Sequence, residues 1–333
     1  MPAITPSDLV AAVLNAIEES GYSGLLISSA RSQPRKFSVV APDGRGSELW
    51  VYLWTVTPGG RPQLEFEYRI QMTGVQSPLG LNPFGPTILV GYEPDLNVFA
   101  GFDILRHRMF TTGSPSVQID VRVLRESLEQ GITFSRKAND EIAIGVRPDL
   151  LVAYATNSMD LHRLGSTRKM VALLNKAATP GPLRSRDMEK LSTERRRVLQ
   201  EVNRLSRLSN FRQQVLNAYG NRCAITRVQL GLVEAAHILP VSAPGSVDHV
   251  RNGIALAPSY HRAYDNGLIY FDERLVARLN PSKANLLKSE KLHGGLNQLR
   301  TPLGRIHLPP DREQWPDPDF IRRANRFRGI RTQ

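Results

Sequence analysis

EAAHILPV (residues 234–241) and NGIALAPSYHRAYDNGLI (252–269) decide how the second half of this chain is read. The first is a short apolar run ending in His237 and then broken by Pro240. Next come a polar stretch rich in turn residues (SAPGSVDHVRNG) and a second short apolar run (IALAP). SYHRAYDNG follows, with Ser259 as the expected helix N-cap and Gly267 as the stop. The local order is therefore strand, loop, strand, helix. It puts His237 at the end of the first strand and Asn252 just before the second. His261 and Asp265, four residues apart on the helix, project from one face.

These residue types suit metal-assisted hydrolysis of a phosphodiester. A histidine that titrates near neutrality can take a proton from water. An imidazole and a carboxylate at i and i+4 can hold a divalent ion against the scissile phosphate. Asn252 can fix the loop or orient the base.

The stretch RCAITRVQLGLVEAAHILPV, followed by RNGIALAPSYHRAYDNGLIYFDE, resembles the HNH endonucleases, whose fold is a ββα-metal finger. It is similar to the bacterial restriction-enzyme subgroup that reads A-A-H-I, then N-G, then H-x-x-x-D. The resemblance covers roughly residues 215–275. It implies that His237 is the general base, that Asn252 holds the loop, and that His261 is a metal ligand with Asp265 beside it. Many members carry an acid or histidine immediately before the base, and here that residue is Ala236; Glu234, two positions back, is the candidate replacement. The implied cofactor is Mg²⁺, or Mn²⁺ or another divalent ion. Many members also frame the finger with cysteine pairs around zinc. Cys223 is the single cysteine, so no structural zinc and no internal disulfide is expected. Packing by Ile225, Leu232, Ile238, Leu256 and Leu268 is expected to do that work. His249 reads as a solvated loop residue, and Tyr260, Arg262 and Tyr264 as residues that could touch DNA.

Working outward, the charge is divided unevenly. The net charge is +12. Residues 1–158 hold 13 Lys+Arg and 16 Asp+Glu, whereas residues 159–333 hold 30 and 15. A basic half concentrates polyanions, DNA or RNA above all. The densest basic stretch runs through Arg184, Arg186, Lys190, Arg195, Arg196, Arg197, Arg204, Arg207 and Arg212, on a long helix whose apolar stripe is Leu191, Val198, Val202, Leu205 and Leu208. Beside a nuclease motif, Arg195, Arg196, Arg197, Arg204, Arg207 and Arg262 are the expected DNA-backbone contacts. A second helix is expected from Asn210 as cap to Gly220 as stop.

The first half opens with an amphipathic helix, SDLVAAVLNAIEES, with Ser7 as its expected N-cap. From residue 37 the pattern becomes short runs rich in Val, Ile and aromatics, separated by PDGRG, TPGGRP and SPLGLNPFGP. Leu64, Phe66, Tyr68, Ile70 and Met72 alternate onto one face. The part spanning residues 37–155 loosely resembles B3-like and SRA-like DNA reader domains, which implies a barrel-like fold that selects a sequence or a modified base. Trp50, Tyr68 and Phe102 are candidates to stack a base; the modified-base pocket itself is unknown. RHRMFTTGSPS (106–116) and FSRKAND (134–140) are the candidate DNA-facing loops.

The expected class is therefore α+β. It comprises a β-rich, barrel-like recognition domain (1–158), a basic helical linker (159–209) that contains the Pro/Gly break KAATPGPLRS (176–185), and a ββα-metal HNH nuclease domain (210–333). The expected activity is a metal-dependent DNA endonuclease of restriction or phage-defence type. The alternatives are a degenerate, DNA-binding regulator and a signal-activated effector nuclease. Double-stranded DNA is the expected partner and a homodimer the expected assembly, because one finger cuts one strand. No apolar run approaches eighteen residues and the N-terminus lacks a secretory pattern, so a cytoplasmic, membrane-free protein is expected.

Overall fold

A computed structural model describes residues 4–41, 43–61, 63–111, 113–165, 167–179 and 191–330. Arg184, Arg186 and Lys190 of the basic stretch, and most of the Pro/Gly break, lie outside the described residues. The chain divides into two compact units, Met1–Ser209 and Asn210–Gln333.

The first unit begins with helix α1 (Pro6–Glu19). Its cap is Thr5 rather than Ser7. The Thr5 hydroxyl accepts from the Asp8 amide, and the Asp8 carboxylate accepts from the Thr5 amide at 2.8 Å. Pro6 then fits the first turn, where its missing N–H has no role.

Ten strands follow: β1 (Ser23–Leu26), β2 (Arg35–Val40), β3 (Gly46–Thr55), β4 (Thr57–Pro58), β5 (Glu67–Gln71), β6 (Thr87–Glu93), β7 (Val98–Phe102), β8 (Ser116–Asp120), β9 (Ile132–Arg136) and β10 (Ile142–Val146). Seven form one sheet in the order β1-β2-β3-β6-β7-β10-β9, antiparallel except for the parallel pair β3 and β6. The other three form a small sheet, β4-β5-β8. The α+β class is as expected. The large sheet is open: among the described residues its order runs from β1 to β9 without closing into a barrel.

The reason lies in burial on both faces. On β3, Val51 and Leu53 join the core that includes α1, whereas Tyr52 and Trp54 point into a second core with Ile70, Phe102 and Ile119. Strands β7 and β10 are buried at every position. A strand covered on both sides loses its polar face and reads as a continuous apolar run. Of the expected one-face set, Ile70 and Met72 are fully buried, while Leu64 and Phe66 precede β5 and are exposed. Phe102 is core, as is the large side chain of Tyr154.

Between and after these strands come α2 (Ile104–His107), α3 (Val121–Gln130), α4 (Leu151–Leu164), α5 (Arg168–Ala178) and α6 (Thr193–Ala218). The expected break at Asn210 is absent. Asn210 is buried inside α6, where its capping propensity yields to tertiary packing. Val198, Leu199 and Val202 of α6 belong to the core of the first unit, and Phe211 and Val215 to that of the second.

The second unit contains the hairpin β11 (Glu234–His237) and β12 (Gly253–Leu256), helix α7 (Pro258–Asp265) and the pair β13 (Ile269–Phe271) and β14 (Ala277–Leu279). Helices α8 (Pro281–Ser289), α9 (Leu296–Arg300) and α10 (Pro318–Phe327) complete it. Its core holds Cys223, Ile225, Ile238, Leu256, Tyr264 and Phe271, with Leu268 packed against it. Leu232 is not part of it. Gln229 to Leu232 close a turn, the Leu232 amide donating to the Gln229 carbonyl at 3.0 Å, and this leaves Leu232 56% exposed while Val233 is buried. Helix α7 starts after Ala257, with Pro258 in its first turn, so Ser259 lies inside the helix rather than at its cap.

Candidate active site

Three elements meet around His237. In the antiparallel hairpin, His237 stands directly opposite Gly253, so both present the same face. On that face lies α6, whose Phe211 ring stacks on the His237 imidazole with centroids 3.8 Å apart and planes 13° apart. Position 253 has no room for a side chain. A Cβ there would lie 2.1 Å from Val215 Cγ2 and 3.1 Å from the Phe211 ring. The glycine is what allows the helix to approach and the stack to form.

His237 Nε2 meets the Asp248 carboxylate at 3.0 Å. Donation from Nε2–H to the acid leaves the neutral imidazole with its lone pair on Nδ1. Among the described residues Nδ1 has no hydrogen-bond partner, and it is not a buried atom. Burial under Phe211 lowers the His237 pKa and outweighs the opposing pull of Asp248, so the ring is neutral at pH 7.

Asn252 is fully buried and spends its amide on the loop that carries Asp248. Its Oδ1 accepts from the Leu239 amide at 2.8 Å; its Nδ2 donates to the carbonyls of Leu239 at 3.2 Å and Val247 at 3.0 Å, and to Ser246 Oγ at 3.2 Å. The Asn252 carbonyl accepts from the Ile238 amide at 2.8 Å. The residue therefore ties both ends of the loop to the base of the hairpin. From the other side, Tyr264 Oη and Arg328 Nη1 donate to the Ile238 carbonyl at 2.8 and 2.9 Å, fixing the backbone next to His237. Burial raises the Tyr264 pKa to about 12, so its hydroxyl remains a donor.

The third group lies on α7. His261 Nδ1 is 2.5 Å from Glu234 and its Nε2 is 3.4 Å from Asp265. Burial pushes the His261 pKa down, but the Glu234 hydrogen bond and the Asp265 charge together outweigh it and hold the pKa above the ordinary value. The same hydrogen bond holds Glu234 below the usual carboxylate range. One imidazole between two carboxylates is a donor set that a hard divalent cation accepts. Among the described residues, no three His, Cys, Asp or Glu side chains are already arranged to enclose an ion.

The structure thus brings together Glu234, His261 and Asp265, and separately His237 with Asp248. Asp248, Phe211, Gly253 and Arg328 were missed as contributors by reading the sequence. His249, expected to be merely solvated, caps the turn before Asn252, its Nδ1 accepting from the Arg251 amide at 3.2 Å. The expected DNA-contacting arginines are all exposed. Arg197 pairs with Asp160 and Arg204 with Glu201, while Arg196 reaches the Leu191 carbonyl. Tyr260 and Tyr264 are buried.

Residues 223–272 match the family model described as HNH endonuclease, and residues 47–155 match the one described as Methylase-associated X1. No curated protein matches the chain. Among solved structures, a chain titled "Modification dependent TagI restriction endonuclease" aligns over 85% of this chain and 81% of its own, at 13% identity and a TM-score of 0.31. Among the described residues, no helix is long and apolar enough to cross a membrane.

Proposed function

We propose that this chain, whose second unit carries an HNH endonuclease domain and is a nuclease, cuts double-stranded DNA in a restriction system, with the first unit choosing the target. The observation that carries the reading is the Asp248–His237 pair with Nδ1 left open. Its chemistry follows in order. Nδ1 takes the proton of a water as the water attacks phosphorus. Asp248 holds the required tautomer and stabilises the imidazolium that forms, as the acid of an Asp–His pair does in other hydrolases. Asn252 holds the Asp248 loop in register with β11. Glu234, His261 and Asp265 are the residues that would hold a divalent ion, Mg²⁺ or Mn²⁺. Once bound, that ion would supply positive charge to the phosphate and the leaving oxygen. The exposed arginines of α6 and Arg262 fit contact with the sugar-phosphate backbone. A double-strand break by single-strand cutters requires two fingers, hence a homodimer, and a cytoplasmic location accords with the task.

Ala236, where many HNH members carry an acid or histidine, is the feature that favours a degenerate regulator. Against it, Glu234 two positions back offers a carboxylate to His261 in its place.

The Methylase-associated match supports a target defined by base modification. The test is plasmid cleavage with Mg²⁺ or Mn²⁺, on DNA with and without methylated bases. Metal-dependent cutting that is lost in His237→Ala is the expected result. Wild-type protein inert on every DNA and with either metal would overturn the reading.

A further inference from the structure

The first unit contains a cavity of about 670 Å³ between the β5–β8 pair and the β9–β10 hairpin. That volume lies in the range of small-ligand sites, about 300–1,000 Å³. The cavity falls inside the Methylase-associated X1 match, and its β9–β10 wall is FSRKAND, one of the two loops singled out in the sequence. The other loop is fastened to it: Arg106 Nη2 donates to the Asn139 carbonyl at 2.6 Å, and His107 Nε2 meets Glu141 at 2.6 Å.

The lining is charged but largely neutralised. Glu67 is paired with Arg61, Asp120 with Arg122, Arg136 with Asp140, and Lys137 with Glu141. No excess of free cations is left for a polyphosphate, and Glu65, which has no side-chain partner among the described residues, would repel one. What the wall offers is specific. Glu65 presents an exposed carboxylate, an acceptor for a donor on a ligand. Phe66 is 38% exposed, and the Arg122 guanidinium lies over its ring at 4.5 Å from the centroid, a planar platform on which a further ring can stack. A flat, uncharged heterocycle with a donor on its edge matches both features.

We propose that this cavity binds a single nucleobase, stacked on the Phe66–Arg122 platform, with an exocyclic amino group on Glu65. The base arrives either everted from a duplex or as a free nucleoside. The proposal rests on the reading of the chain as a DNA nuclease and names the chemistry its first unit would select.

The full chain is tested in two arms. Duplexes containing 5-methylcytosine, N6-methyladenine or only ordinary bases carry 2-aminopurine beside the target, whose fluorescence rises when its neighbour leaves the stack. The corresponding free nucleosides are titrated by saturation-transfer NMR. A signal in at least one arm is expected, weakened roughly tenfold in Phe66→Ala and Glu65→Ala, as loss of one stacking or edge contact requires. Signal only from duplexes assigns an everted base, and signal only from nucleosides a free one. Should Phe66→Ala fail to melt like the wild type, Glu65→Ala, at an exposed position on the same wall, carries the test alone. No signal in either arm, or a signal unchanged in every folded variant, overturns the proposal. A signal without cleavage keeps the cavity and removes the nuclease reading; cleavage without a signal does the reverse.

Discussion

Each unit buries a histidine whose pKa is depressed by burial, and only one of the two is equipped for catalysis. In the first unit, His162 is 7% exposed and its pKa falls to about 4. Its Nδ1–H donates to the Ile142 carbonyl at 3.0 Å, and its Nε2 accepts from the Tyr154 hydroxyl at 2.9 Å. Both ring nitrogens are consumed by the protein. In the second unit, His237 gives one nitrogen to a carboxylate and keeps the other free. The lesson is that a perturbed histidine is a candidate base only when a lone pair remains uncommitted and a carboxylate orders the other side of the ring. Burial by itself is architecture.

The comparison breaks most sharply at His237. Replacing it with alanine should lower the cleavage rate by about 10²- to 10⁴-fold, the usual contribution of a positioned general base. The melting transition of the second unit should move little. Single-turnover cleavage with the metal in excess is the measurement. Retention of wild-type rate would mean that the open nitrogen is not used.

Asp248→Asn comes next. The ring keeps its accepting nitrogen but loses the group that fixes the tautomer, so a loss of roughly 10- to 100-fold is expected. Asp248 raises the His237 pKa against the stronger effect of burial. Its removal therefore lowers that pKa further, and the acid limb of the rate profile should move to lower pH. A rate loss with an unshifted limb would make Asp248 a loop residue only.

Gly253→Ala sharpens the comparison from the packing side. The added methyl would lie 2.1 Å from Val215 Cγ2. Overpacking of that kind costs about 1–3 kcal/mol and would push Phe211 off the imidazole. Denaturant unfolding should register the lost stability, and cleavage should fall with it.

The two units also differ in how far the sequence could be read. His237, Asn252, His261 and Asp265 lie within 29 residues and are joined by local pairings, one hairpin and one helix, so their spacing carries their geometry. Asp248 sits in the loop between the strands, where no periodicity says which side chain turns inward. Phe211 reaches the site from a helix 26 residues upstream of His237, and only tertiary contact reveals it. In the first unit the decisive pairing is β3 with β6, parallel and separated by more than 30 residues, for which no turn signature exists. The apolar runs of TILVGY and LNVFAGFDI report burial without reporting that both faces are covered. That gap is why a barrel was expected where an open, two-faced sheet is found.

The smallest expected effect tests the other histidine. His162 is neutral in the folded unit between about pH 4 and its ordinary value of about 6.5, and in that window it gains a proton on unfolding. The unfolded state then binds more protons than the folded one, so stability rises with pH through this window. His162 thus contributes its stability in full above about 6.5, and loses it as pH falls toward about 4, at no more than about 1.4 kcal/mol per pH unit. Gln can replace both hydrogen bonds, donating to the Ile142 carbonyl and accepting from Tyr154, without a titrating group. His162→Gln should therefore flatten the dependence of the first unit's unfolding midpoint on pH across this interval and leave single-turnover cleavage at neutral pH unchanged. Equal slopes in the two proteins would show that His162 does not govern the acid sensitivity of its unit; an altered cleavage rate would show that the division of labour between the two histidines is wrong.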